Sequence, residues 1–300
     1  MSRSVSVLIP VYNPGELLIE AIDSALAQTG CDNIEIEIIA ADDGSTCERT
    51  QEILRNYEDR ITVHRKENSG PADTRNFLVE AASHDWIAWL DQDDIWLPNK
   101  LELQFEAAER NGADFVYTNA ELFGDTHEIG KFRNNPASMP EGDVFEALVD
   151  DNFITTAGVM VRRQLVLDVG GHDISVAGVD DWDMWLKIAA TGAKFAAIPE
   201  PVTLYRWHSL SMSKRHEEMK LLRENVLRSA LKTERGQQVS WYRRLRALAN
   251  VTGTSAWFVS SADPRRAAEW YRDSLRYWPF QLTAWKGLVK SVLQGMSSSK

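Results

Sequence analysis

Three carboxylates within four positions, Asp91, Asp93 and Asp94, follow directly on the apolar run Trp86-Ile87-Ala88-Trp89-Leu90. Burying ionised carboxylates is costly, and clustered ones repel one another unless a cation or strong donors sit among them. The pattern suits a hard divalent cation, Mg2+ or Mn2+, held by carboxylate oxygens and completed by the phosphates of a ligand. The plainer alternative is an acidic turn leading into the helix expected after Pro98, since Asp is common at helix starts. Two more acidic clusters, Asp42-Asp43 and Asp180-Asp181-Trp182-Asp183, lie far away in the chain. A shared site needs a fold that brings such clusters together.

The flanking segments predict one. Val5–Val11 is almost continuously apolar and β-branched, as expected for a strand covered on both faces. Asn13-Pro14 then reads as the start of a helix with Leu17, Leu18, Ala21, Ile22, Ala25 and Leu26 on one face. Strands follow at 34–41, 61–64, 86–90 and 115–118, with helices through Ile53, Leu54 and Tyr57, over 72–81 and over 98–111 between them. This alternation predicts an α/β fold with a Rossmann-like, mainly parallel sheet and right-handed crossovers. Ligands in such sheets bind at the carboxyl ends of the strands. The clusters at 10–13, 42–46 and 91–94 all stand at those ends, so one rim collects them.

Beyond Tyr117 the pattern loosens. Residues 123–140 read as a polar loop over the substrate, 159–161 as a short strand, 179–190 as a helix, and 195–198 and 202–205 as closing strands. From Ser211 onward only helical spacing remains, including Met219, Leu222, Val226 and Ala230, then Leu282, Trp285, Leu288 and Val292. Residues 1–210 are therefore expected to form one α/β domain and 211–300 a basic, Trp-rich helical tail.

Charge follows the same division. The chain has 300 residues and a net charge of −11, but residues 201–300 hold 18 Lys and Arg against 7 Asp and Glu, leaving 15 against 37 before them. An acidic body disfavours nucleic acid, and a basic tail suits an anionic surface. Arg243, Arg244, Arg246, Arg265 and Arg266, interleaved with Trp241, Trp257 and Trp270, fit contact with an anionic inner leaflet. Packing of the tail helices on the catalytic core is the competing expectation, and the two are compatible. No apolar run is long enough to cross a membrane, and the N-terminus lacks the small-residue cleavage site of a signal peptide. The expected location is the cytoplasm, including the inner membrane face. Cys31 and Cys47 have no metal-site spacing and are expected as free thiols.

Read in series, Ser6-Val7-Leu8-Ile9-Pro10-Val11-Tyr12-Asn13, Asp42-Asp43-Gly44-Ser45-Thr46, Asn68-Ser69-Gly70-Pro71 with Arg75-Asn76, Asp91-Gln92-Asp93-Asp94, and Asp180-Asp181-Trp182-Asp183-Met184-Trp185-Leu186 resemble the inverting glycosyltransferases of family 2, which have the GT-A fold. The likeness spans about residues 4–210 and leaves the tail uncovered. It implies a nucleotide site formed by Pro10, Val11, Tyr12, Asp43, Asn68, Gly70, Arg75, Asp91 and Gln92. Within that site Asp43 would accept from the pyrimidine N3–H, and Arg75 would offset phosphate charge. It also implies Asp93 and His208 as ligands of Mn2+ or Mg2+, with Asp91 making a ribose or water-mediated contact. Asp181 is the implied general base, while Asp180 or Asp183 could instead cap the helix. Asp94 could cap the helix that follows it.

The implied reaction is metal-dependent transfer of a sugar from a UDP- or dTDP-sugar to a hydroxyl of a glycan or lipid-linked acceptor, of the kind used in bacterial surface-polysaccharide assembly. Two alternatives remain at the level of sequence. A nucleotidyltransferase would want a Gly-rich, Lys-bearing phosphate loop after the first strand, which Asn13-Pro14-Gly15-Glu16 does not provide. A catalytically silent scaffold that binds nucleotide sugar or glycan would not need Asp93, Asp181 and His208 together.

Overall fold

A computed structural model describes residues 3–31, 33–125, 129–207 and 216–297, the side chains of His216, Met296 and Ser297 excepted. By contact the chain forms two compact units, Met1–Val144 with Phe153–Ser211, and Phe145–Asn152 with Met212–Lys300.

The first unit is built on an eight-stranded sheet. Its strands are β1 (Arg3–Val11), β2 (Ile34–Asp43), β3 (Thr62–Lys66), β4 (Trp86–Trp89), β5 (Ile95–Trp96), β6 (Phe115–Gly124), β7 (Val159–Arg162) and β8 (Phe195–Trp207). They lie in the order β3-β2-β1-β4-β7-β6-β8-β5. The pairs β1–β2, β1–β4, β2–β3 and β6–β8 are parallel, whereas β7 runs antiparallel to both β4 and β6, and β5 antiparallel to β8. The sheet is thus mainly parallel, with β7 reversed in its middle. Central strands are covered on both faces: all four residues of β4 are buried, as are Val5, Val7, Leu8 and Ile9 of β1. Each fully buried aliphatic side chain of this kind contributes roughly 1.5–3 kcal/mol of burial.

Helices α1 (Leu17–Leu26), α2 (Glu48–Tyr57), α3 (Pro71–Ala81) and α4 (Lys100–Asn111) connect the strands. Two short helices lie further along, α5 (Phe145–Asp150) and α6 (Arg163–Asp168), and α7 (Asp180–Ala190) precedes β8. Leu18, Ala21, Ile22 and Ala25 of α1 pack with Leu101 and Phe105 of α4 against one face of the sheet.

Several local expectations change in the structure. Asn13 does not cap α1, which begins at Leu17. Its backbone sits in the left-handed region at φ 52°, a conformation Asn tolerates better than most residues, and its Oδ1 accepts from Thr46 N and Cys47 N at 2.9 Å each. Asn13 therefore holds the loop that leads into α2 and ties the end of β1 to the loop after β2. The segments expected as separate strands at 195–198 and 202–205 form one strand, β8, with a register shift opposite Thr118 and Ala120. β5 was not expected: two residues are too few to show periodicity, and only pairing with β8 makes them a strand. Asp94 does not cap α4, whose N-cap is Asn99; one of its oxygens accepts from Arg206 N at 2.8 Å.

The second unit contains α5 with α8 (His216–Lys232), α9 (Glu234–Gln238), α10 (Trp241–Val259), α11 (Pro264–Tyr277) and α12 (Leu282–Ser297). Asp150 of α5 accepts from Arg243 Nη2 and Arg246 Nη2 of α10, both at 2.8 Å. The helical core comprises Ala256, Val259, Ala267, Trp270, Tyr271, Leu275 and Ala284. Gly287 lets α12 close on α11, since a Cβ there would stand 2.2 Å from the Tyr271 ring. No helix among the described residues is long and apolar enough to cross a membrane.

Candidate active site

The parallel register places the polar strand ends side by side. Val11 is opposite Asp42, and Asp43 is opposite Lys66. Tyr12 and Gln92, just past the ends of β1 and β4, clamp each other: Tyr12 N donates to Gln92 Oε1 at 2.7 Å, and Gln92 Nε2 donates to Tyr12 O at 3.3 Å. The Tyr12 side chain is exposed and Pro10 half-buried beside it, whereas the Val11 side chain lies in the core.

Asp43 is buried at the end of β2 and held by converging donors. Its Oδ1 accepts from Lys66 Nζ at 2.8 Å and Ser69 N at 2.9 Å, and its Oδ2 from Gly70 N at 2.9 Å. Burial would raise this carboxyl, but Lys66 and these donors hold it below its ordinary value, so it stays ionised. Ser69 Oγ also donates to Oδ1 at 3.4 Å. Gly44 and Gly70 shape the surroundings. Gly44 has φ 72°, and a Cβ on it would stand 2.9 Å from Asn68 N; Gly70, with φ 92°, caps α3 ahead of Pro71. Asn68 Nδ2 donates to Asp43 O at 2.8 Å. Lys66 was not singled out from sequence. Its role follows from strand register, which its own neighbours do not reveal.

Arg75, projecting from α3, bridges two acids. It donates to Asp91 Oδ1 at 3.0 Å and to Asp180 Oδ2 at 2.9 Å. Its guanidinium is therefore committed to two carboxylates in this structure, and the phosphate role expected of it would have to be shared with them. Asp180 also receives His172 Nδ1 at 2.9 Å and Gly178 N at 2.9 Å. Burial opposes ionisation of Asp180, yet Arg75, His172 and the Gly178 amide together hold its pKa well below the usual carboxylate range. His172 is buried with its edge toward Trp89, and burial lowers its pKa, leaving a neutral ring whose Nδ1–H donates to Asp180. Asn76 fixes the His172 backbone from both sides, donating to its carbonyl at 2.8 Å and accepting from its amide at 2.7 Å.

One residue further along α7, Asp181 has a different environment. It is half-buried, accepting from Trp182 N at 2.6 Å and from Thr156 Oγ1 at 3.5 Å. Asp183 pairs with Lys187 at 2.6 Å along the helix. Of the three acids in the first turn, Asp180 is used structurally and Asp183 is paired one turn on. The Arg75 bridge brings this turn to the acid cluster that ends β4.

In that cluster Asp91 is raised by burial, against the pull of Arg75. Asp94 is raised well above its ordinary value by burial and by the charges of Asp93 and Asp91. Its Oδ2 is buried without a hydrogen-bond partner. Arg206 anchors the loop from β8, donating through Nε to Asp93 O at 2.7 Å and through Nη2 to Glu20 at 2.9 Å. Hard carboxylate oxygens, one of them orphaned, fit a divalent cation such as Mg2+ or Mn2+. Among the described residues no three His, Cys, Asp or Glu side chains already form a metal cage. The expected ligand His208 lies outside the described residues.

Acid-ended parallel strands, a reversed β7, and a helix bringing carboxylates to the same rim define a GT-A-type fold. The chain belongs to glycosyl transferase family 2, whose family model matches residues 6–169. It is 31% identical over 229 residues to the UDP-Glc:alpha-D-GlcNAc-diphosphoundecaprenol beta-1,3-glucosyltransferase WfaP of Escherichia coli, covering 75% of this chain and 86% of that protein. It is 32% identical over 190 residues to an uncharacterized glycosyltransferase of Rickettsia typhi, covering 62% of this chain and 58% of that one. The chain thus spans less than two thirds of that rickettsial relative. Among solved structures it is similar in fold to S. aureus TarS 1-349, with TM-score 0.65 at 12% identity over 99% of this chain and 92% of that one. It is also similar to the mannosyltransferase PcManGT from Pyrobaculum calidifontis in complex with GDP-Man and Mn2+, with TM-score 0.56 at 17% identity over 99% and 88%.

Proposed function

We propose that this protein transfers a sugar, with inversion at the anomeric carbon, from a UDP- or dTDP-sugar to a hydroxyl of a glycan or lipid-linked acceptor. The observation that carries this reading is the contrast within one helical turn. Asp180 is buried and holds donors from Arg75, His172 and Gly178, while Asp181 next to it is half-buried. In this reading Asp181 takes the proton from the acceptor hydroxyl as its oxygen attacks the anomeric carbon, and the nucleoside diphosphate departs on the opposite side.

An ionised acceptor at Asp43 favours a base that presents an N–H, as uracil and thymine do at N3. Family membership and the name of WfaP, which specifies a UDP-glucose donor and a diphosphoundecaprenol-linked acceptor, agree with this choice. TarS has also been solved in complex with UDP-GlcNAc. Pro10, Tyr12, Asn68 and Gly70 would border the nucleotide, and Val11 and Gln92 would support it through backbone and amide contacts. Asp93, with Asp94 and His208, would hold Mg2+ or Mn2+. Such a cation supplies positive charge for the leaving diphosphate.

Calorimetric titration with UDP, dTDP and GDP, with and without Mn2+, tests the donor site. Binding of UDP or dTDP that requires Mn2+ and is lost in Asp93→Ala supports it. A folded protein that binds none of the three overturns the reading.

A further inference from the structure

The helical unit carries an apolar surface that its own core does not use. In α12 the residues turned inward are Ala284, Leu288 and Ser291. On the opposite side Leu282, Trp285, Val289 and Leu293 are 73%, 48%, 57% and 62% exposed. Their spacing of three, four and four residues puts them in one stripe along the helix. The even apolar spacing of Leu282, Trp285, Leu288 and Val292 in the sequence thus resolves into two faces, only one of them packed. Lys286 and Lys290 flank the exposed stripe, and no Asp or Glu occurs between Ser274 and Lys300.

A second feature lies at the end where α12 begins. The last turn of α8 meets the end of α11 there, and the residue just before α12 meets the middle of α10. Arg228 Nη2 donates to Tyr277 Oη at 2.8 Å, and Gln281 Nε2 to Asn250 Oδ1 at 3.1 Å. Between α8 and α10 at this end is a groove of about 430 Å³ lined by Leu231, Leu245 and Leu248 together with Arg228, Lys232 and Arg244. Trp241 at its rim is 71% exposed, and Phe280, just before α12, is 77% exposed. No acid occurs between Arg235 and Ala262.

We infer that the outer stripe of α12 forms a docking surface for a bilayer containing anionic phospholipid, with α12 lying in the plane of the interface. An exposed Trp and aliphatic side chains with Lys beside them and no acid in the same helix match the chemistry of the headgroup–acyl boundary, where apolar burial and attraction to anionic headgroups add. Pairing of two copies across the stripe is disfavoured by charge. A two-fold contact would set Lys286 and Lys290 of both copies against each other with no carboxylate to balance them. The surface belongs to the helical unit alone, so the inference does not depend on the sugar-transfer reading.

The test is co-sedimentation of the full chain with phosphatidylglycerol-containing vesicles and with pure phosphatidylcholine vesicles, at low and high salt. Three variants go alongside: Val289→Glu, Leu293→Glu, and Lys286→Glu with Lys290→Glu. The expected result is binding to the anionic vesicles that salt weakens. The double lysine variant should reduce it by about 25-fold or more, and the Val289→Glu and Leu293→Glu variants should lose it while keeping the parental thermal midpoint and UDP titration. All the replaced side chains are exposed, so folding should be unaffected. Absence of binding to anionic vesicles, or binding that all three variants retain, overturns the inference. So does a dimer seen by light scattering that Val289→Glu dissociates, since the stripe would then be covered by a second copy.

Discussion

Arg75 and Asp180 are 105 residues apart in the chain and meet at 2.9 Å, with the same guanidinium reaching Asp91 at 3.0 Å. This bridge couples the acid cluster at the end of β4 to the first turn of α7. Removing it leaves two buried carboxylates without their cation. Arg75→Ala should therefore destabilise the fold by about 3–5 kcal/mol, the range for breaking one side of a buried ion pair. Arg75→Lys should rescue only part of that, because an ammonium lacks the planar fork that serves two carboxylates at once. Urea unfolding of both variants measures the effect. A loss below about 1 kcal/mol in Arg75→Ala, the level of an exposed pair, would show that the bridge is dispensable.

The two neighbouring acids of α7 should separate cleanly under substitution. Asp181→Asn is expected to leave the thermal midpoint and UDP binding close to the parent while lowering turnover by about 10²–10⁴-fold, the usual contribution of a positioned general base. Asp180→Asn should instead lower the midpoint, since it weakens the pairing with Arg75 and His172. Product-release kinetics together with thermal melts distinguish the two. Full turnover in Asp181→Asn would move the base elsewhere.

Donor recognition makes a similar prediction at Asp43. Asp43→Ala should abolish uridine diphosphate binding and also lower stability, because Lys66 Nζ and the Ser69 and Gly70 amides lose their acceptor. The double variant Asp43→Ala with Lys66→Met removes the stranded charge, and it should recover stability without recovering binding. Calorimetry on the double variant is the informative measurement, and binding restored there would exclude Asp43 as the base-reading group.

His172 and Asp180 should each take stability away on the acid side of neutrality, while Asp91 and Asp94, whose carboxyls are raised in the fold, act in the opposite direction. The His172 pKa is lowered by burial, although Asp180 and Asp183 favour its protonated form and Arg75 opposes it. The unfolded chain therefore binds a proton near pH ~6.5 that the folded chain still refuses, and stability declines as pH drops below that point. Asp180 is likewise depressed, so its contribution is complete above ~4 and is lost as pH falls further. Urea midpoints measured from pH 8 downward on the parent and on His172→Asn isolate the histidine contribution by difference. His172→Asn, whose amide can still donate toward Asp180, should remove that contribution and keep that of Asp180. An unchanged profile in that variant would assign the histidine's share to another group.

Much of this was legible in the amino-acid sequence for a physical reason. A strand covered on both faces must be continuously apolar, and an amphipathic helix must repeat near 3.6 residues, so β1, β2, β4, α1 and α4 announce themselves locally. An acid at the end of such a strand is legible too, and alternation alone predicts that several strand ends share a rim. Residue types and order within the motifs were enough to suggest the family.

What only the tertiary structure decided concerns pairs distant in sequence. Whether Asp180 or Asp181 is left on the rim depends on Arg75 and His172 arriving from α3 and from the loop before α7. Asn13 binds the loop before α2 rather than capping the helix that follows it because β1 and β2 are parallel neighbours. Lys66 meets Asp43 through register, and half of the apolar spacing in α12 turns outward because α11 covers only one side. Propensity and periodicity are properties of a short window of chain, so sequence reveals them directly. Which carboxylate is desolvated, paired or exposed is set by partners that the strand order brings from tens of residues away.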